Sequence, residues 1–171
     1  MNKALGRTAR SRKRPRRRPT SSLVSGETHE APNIFPLGAS DQERLENLRE
    51  VAVGYLADAA SRSRYETSAG KLGTIRAVLN AGFLGPDNTD ELQSLGVVFG
   101  DALSQESDLE WVAIEDEYGR DPALCIPETT ILAYPLTMIS KRVEEGAEID
   151  VFKLFDQVLT SIQRMRDEGY T

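Results

Sequence analysis

The hydrophobic period of this chain changes twice, from 3.6 to 2 and back, and that succession limits the folds open to it. Ser40 is placed as an N-cap with Glu43 three residues on, and Leu45, Leu48, Val51, Tyr55, Leu56 and Ala59 follow at the spacing of one helical face, so a first helix is predicted to end near Ser61. Leu72, Ile75, Val78 and Leu79 predict a second helix from about Ser68 to Asn80, with Gly82 to stop it. Asn88 and Glu91 repeat the capping signal for a third, whose apolar face is Leu92, Leu95, Phe99 and Leu103. Gly96 and Gly100 share that face. Two glycines four apart weaken a helix, so a neighbouring backbone packed very closely is expected there.

Alternation takes over at Leu109-Glu-Trp-Val-Ala-Ile-Glu115, a predicted strand, and Tyr118-Gly-Arg-Asp-Pro supplies the turn after it. Ala123 to Ile126 reads as a short second strand, and the β-branched Thr129-Thr-Ile-Leu-Ala-Tyr134 as a third. Pro135 then opens a helix that Gly146 closes, and Asp150 caps a last helix with the longest apolar stripe, Val151 through Met165. The predicted fold is therefore α+β: three N-terminal helices, a short antiparallel three-stranded meander, and two C-terminal helices packed on the sheet. Trp111, Leu132 and Phe155 are expected to be buried close together, the last helix lying across the sheet.

The preceding segment is of another kind. Met1 to Thr20 holds nine Lys or Arg and no acid, and its core, Arg10-Ser-Arg-Lys-Arg-Pro-Arg-Arg-Arg-Pro-Thr20, has two prolines and no apolar period. Such a stretch buries too little surface to offset its ordering entropy, so a disordered tail is predicted, continued by a linker from Ser21 to Ala39 in which Ile34, Phe35 and Leu37 alone look able to dock. The division expected is residues 1–39 as tail and linker, residues 40–171 as one domain. The tail reads as a non-specific polyanion-binding arm, as an inert linker, or as upstream sequence that is not translated. It lacks the apolar run of a secretory signal, and its prolines oppose a transit helix.

From Ser21 onward there are 12 basic and 27 acidic residues. A body so acidic repels phosphate backbones, so nucleic-acid binding is expected of the tail at most. No apolar run approaches a membrane span, and the single cysteine, Cys125, is read as a small buried residue; a cytoplasmic setting is expected.

Three stretches, Leu95-Gly-Val-Val-Phe-Gly-Asp101, Val112-Ala-Ile-Glu-Asp-Glu-Tyr-Gly-Arg-Asp-Pro-Ala-Leu124 and Tyr134-Pro-Leu-Thr-Met-Ile-Ser-Lys-Arg142, agree in order and spacing with one family. Together they resemble the bacterial domain of unknown function 3806, over about Leu92 to Phe155. The resemblance implies a fold family and a bacterial source and brings no catalytic residue. More loosely, the pattern is similar to several small bacterial domains, among them immunity proteins of toxin systems.

The densest polar cluster is Glu115, Asp116, Glu117, Arg120 and Asp121, at a strand end, with Lys141 and Arg142 on a later helix as expected ion-pair partners. The only histidine, His29, lies in the linker, and the body has no Gly-x-Ser-x-Gly elbow, phosphate loop or dinucleotide fingerprint. No catalytic residue, cofactor or metal site is assigned. The economical reading is a protein-interaction module whose acidic edge meets another protein. The alternatives are a carboxylate-based or metal-dependent enzyme using Glu115 to Asp121, and an immunity-type protein.

Overall fold

The computed structural model describes residues 33–116 and 119–169. The tail, most of the linker and Glu117 lie outside them. In chain order the elements are β1 (Asn33–Pro36), α1 (Ala39–Val53), α2 (Ala59–Tyr65), α3 (Ser68–Asn80), α4 (Thr89–Glu106), β2 (Glu110–Asp116), β3 (Gly119–Cys125), β4 (Leu132–Ala133), α5 (Pro135–Glu144) and α6 (Val151–Asp167). The class is α+β, with six helices and a four-stranded antiparallel sheet in the order β1-β2-β3-β4 among the described residues.

The predicted meander of three strands has a fourth partner. Asn33–Pro36, assigned above to the linker, pairs along β2 with Ile34 opposite Ile114 and Phe35 opposite Ala113. Asn33–Pro36 thus belongs to the same sheet as the strands that follow α4. All four residues of β1 are exposed, so the strand shows none of the buried alternation by which a strand is recognised, and Pro36 is tolerated because β1 lies at an edge. β4 is conversely shorter than expected. Pro127 to Thr129 turn the chain, Glu128 adopting φ 62° and the Thr129 hydroxyl bonding the Ile126 carbonyl at 2.9 Å, which leaves two residues to pair with β3.

The helices depart from expectation in two places. α1 begins before Ser40, and the carboxylate at its start is Asp41, whose Oδ2 accepts the Gly38 amide at 2.8 Å. It ends at Val53, because the chain breaks at Gly54 and Asp58 starts a new helix by accepting the Ser61 amide at 2.7 Å. α3 has the predicted limits, α5 begins at Pro135, and Asp150 accepts the Lys153 amide at 3.1 Å to cap α6.

α4 occupies the centre. Residues 94–100 are buried without interruption, the mark of a helix enclosed on all sides. The two glycines make this possible. A Cβ on Gly96 would lie 2.6 Å from the Pro135 carbonyl oxygen, and one on Gly100 would lie 2.5 Å from the Trp111 ring, so α5 and β2 reach the α4 backbone itself. One core joins α3, α4, α6 and the sheet; a second, smaller one joins Leu45 and Leu48 of α1 to Val97 and Leu136.

This central helix also explains why α6 is not laid across the sheet: α6 rests on α3 and α4 instead. Phe155 is buried there, edge-on to Phe99 with ring centroids 6.0 Å apart. Phe155→Ala is expected to lower unfolding free energy by about 3–5 kcal/mol in urea denaturation, the usual range for deleting an enclosed aromatic ring. Trp111 and Leu132 are half-buried, and pleating places them on opposite faces: Trp111 lies opposite Leu124, itself opposite Ala133, whereas Leu132 lies opposite Cys125.

Candidate functional site: the β2–β3 hairpin and its arginine clasp

The hairpin joining β2 to β3 carries the predicted cluster, and the structure divides it. Glu115 and Arg120 are cross-strand partners with Oε2 and Nη1 3.5 Å apart. The same guanidinium donates from Nη2 to Asp41 Oδ2 at 2.9 Å and to the Pro36 carbonyl at 3.4 Å, and stands 5.4 Å from the Phe35 ring centroid. One arginine thus clasps β1, β2, β3 and the start of α1. A planar fork with five donors suits this role. Beside it Arg44 of α1 reaches Asp121 at 2.8 Å and Gln93 at 3.4 Å.

Lys141 and Arg142 stand apart from this clasp. Both sit in the last turn of α5; among the described residues neither forms an ion pair, and Arg142 Nη1 donates to the Met138 carbonyl at 2.6 Å. Asp121 and Glu115 of the cluster are instead met by Arg44 and Arg120. Asp116 is exposed at the hairpin, and Glu117 falls outside the described residues.

Asp41, like Arg44, is a clasp residue that sequence reasoning missed. Ser40 and Glu43 read as the helix start, and only the tertiary fold brings Arg120 to Asp41. The Arg120 hydrogen bond holds its carboxyl below the ordinary value near 3.8 against the opposing effect of burial, and the Gly38 amide adds to the lowering. A carboxylate depressed in the folded state contributes stability that is present above its unfolded value and lost as pH falls through the folded one. Acid titration of the fold is therefore expected to show a loss of stability that starts near pH 3.8 and deepens downward. Asp41→Asn should flatten that limb; an unchanged acid profile would remove Asp41 from the account.

A second polar node lies inside the fold. Asp101 accepts from Arg49 Nε and Nη2, both at 2.8 Å, and from Trp111 Nε1 at 2.9 Å, next to Gly100 on which the indole rests. Burial and then the Asp101 charge push the nearby Tyr65 hydroxyl up to about 12. This node ties α1, α4 and β2 together with its polar groups engaged with one another, as a structural support does.

The hairpin, by contrast, is open. The Glu115 and Asp121 side chains are 56% and 68% exposed, and Ile34 and Phe35 of β1 are about 40% exposed beside them. Ionised carboxylates on an open edge can hold cationic groups. Cys125 is buried, and burial, followed by the Glu110 charge, pushes its thiol up, away from the reactive thiolate. Among the described residues no three His, Cys, Asp or Glu side chains are grouped as metal ligands. No described helix is long and apolar enough to cross a membrane.

Residues 71–155 match the family described as "Domain of unknown function (DUF3806)", consistent with a domain of that kind covering part of the chain. The match takes in Gly96, Gly100, Asp101, Trp111 and Arg120 and leaves out β1 and α1, so Asp41 and Arg44 of the clasp lie beyond it. No curated protein matches the chain. A crystal structure from Bacteroides thetaiotaomicron VPI-5482 superposes with a TM-score of 0.62 at 17% identity, over 81% of this chain and 51% of that one. The chain thus spans about half the length of that protein, and the likeness is one of fold.

Proposed function

We propose that this chain, with its match to DUF3806 at residues 71–155, is a binding module that presents the outer side of β1 and the β2–β3 hairpin to a basic protein partner. The observation that carries this reading is the pairing of apolar and acidic side chains at that edge: pleating puts exposed Phe35 on the face of exposed Glu115, and exposed Ile34 on the opposite face with exposed Asp121. An apolar centre with a charged rim is the general anatomy of a protein interface. The excess of 27 acidic over 12 basic residues beyond the tail supports it from long range, because a field of one sign steers a partner of the other. The apolar residues supply the contact area. A cytoplasmic setting accords with the lone buried thiol.

The test uses the full chain and a labelled short peptide alternating arginine and leucine. Binding followed by anisotropy is expected to weaken about tenfold, or ~1.4 kcal/mol, in the Glu115→Gln, Asp121→Asn double variant. Glu144→Gln with Glu145→Gln makes the same charge change at the end of α5 and should leave affinity within about twofold, since exposed charges beyond a Debye length of about 10 Å are screened. Equal losses in the two double variants would show diffuse attraction and no binding edge.

A further inference from the structure

Away from the hairpin, a groove of about 570 Å³ runs between the end of α3, the end of α5 and the first turns of α6. We propose that it is a binding site for a small phosphate-bearing molecule. Three cations line it, each from a different helix: Arg76, Arg142 and Lys153. Their convergence is a product of the tertiary fold and not of any helical repeat.

The chemical argument rests on what these cations are doing. Arg44, Arg49, Arg120, Arg164 and Arg166 each pair with a carboxylate. Arg76, Arg142 and Lys153 do not, among the described residues; nor do Arg62, Arg64, Lys71 and Lys141, but of these seven it is Arg76, Arg142 and Lys153 that line this one groove. Asp150 lines the groove too, but its Oδ1 is engaged with the Lys153 amide; Glu148 is the other acid there. With the start of α6 already capped in this way, side-chain cations, and not a helix end, would hold the ligand.

Two of the three guanidinium and ammonium groups are also held in place. The Arg76 guanidinium stands 5.0 Å from the Phe152 ring centroid, and Arg142 is fixed by its bond to the Met138 carbonyl at 2.6 Å. Each keeps further donors for an oxyanion, and a fork of donors suits phosphate oxygens. Phe152, Ile149 and Leu154 give the groove an apolar wall for an organic body. Its volume is in the range of small-molecule sites, which run from about 300 to 1,000 Å³.

The experiment titrates the isotopically labelled full chain with inorganic pyrophosphate and, separately, with metal-free adenosine diphosphate, at constant ionic strength, following backbone amides by NMR. Saturable shifts centred on residues 76, 80, 142 and 149–154 are expected, weakening at least about tenfold in Arg76→Gln with Lys153→Gln. Tighter binding of the diphosphate ester would assign the apolar wall to an organic body; equal binding would assign the site to the phosphate alone. Lys153→Gln by itself serves if the double variant loses its fold, since Lys153 is exposed. Shifts that do not saturate, that centre elsewhere, or that persist at full strength in the variant overturn the proposal.

Discussion

Gly96→Val is expected to destabilise the fold by about 3 kcal/mol, at the upper end of overpacking effects. The reason is the identity of the obstructing atoms. A Cβ at residue 96 would lie 2.6 Å from the Pro135 carbonyl oxygen and 2.7 Å from the Leu136 Cα, which are backbone and cannot rotate aside. Relief requires α5 to lift from α4, and that opens the smaller core at Val97 and Leu136. At roughly 2–4 °C per kcal/mol for a domain of this size, the melting temperature should fall by about 6–12 °C. Gly73 is the internal control. A Cβ there meets nothing within 4 Å, so Gly73→Ala should stabilise by about 0.5–1 kcal/mol through helix propensity and a less flexible unfolded chain. A Gly96 variant as tolerant as Gly73→Ala would contradict the close crossing of α4 and α5.

The second large effect is expected at Asp101. Asp101→Leu strips the acceptor from two nitrogens of Arg49 and from the Trp111 indole at once. Removing one member of an enclosed pair costs more than the pair contributes, because the other charge stays desolvated. The Arg49 and Asp101 side chains are 29% and 16% exposed, so water relieves part of that penalty and a loss of about 2–3 kcal/mol is expected. Arg49→Leu combined with Asp101→Leu should lose less than the sum of the two single changes, the signature of direct coupling. Trp111 is the only tryptophan, so its emission reports the node directly and should shift in Asp101→Leu even where the fold persists.

How far the sequence discloses this fold depends on the source of each signal. α3, α5 and α6 were legible because their stop and start residues act within one turn: Gly82 and Gly146 take positive φ, Pro135 opens α5, and Asp150 caps α6. The glycines of α4 were legible as a close approach, though not as to which backbone approached. β1 was hidden because exposed residues in a proline-punctuated stretch carry no period, and its strand character comes entirely from pairing with β2. The break at Gly54 was masked by the apolar spacing that continues across it. The same distinction governs the candidate site. Glu115 and Arg120 are neighbours across a hairpin and could be read together. Their partners Asp41 and Arg44 are 79 and 77 residues away from Arg120 and Asp121, and only packing of α1 on the sheet brings them there. Opposite charge and a place beside the same meander suggested Lys141 and Arg142, but both sit in the last turn of α5, where among the described residues neither forms an ion pair and Arg142 lines the groove.

The central claim, that β1 and the hairpin form the partner-facing edge, is tested most directly by mapping the basic peptide onto the labelled full chain by NMR, at low and at high salt. The account predicts saturable amide shifts concentrated at residues 33–36 and 112–121, with affinity falling as salt screens the steering field while the same residues remain the ones perturbed. Shifts spread over the acidic surface without a focus at β1 and the hairpin, or a focus elsewhere that Glu115→Gln with Asp121→Asn leaves intact, would contradict it.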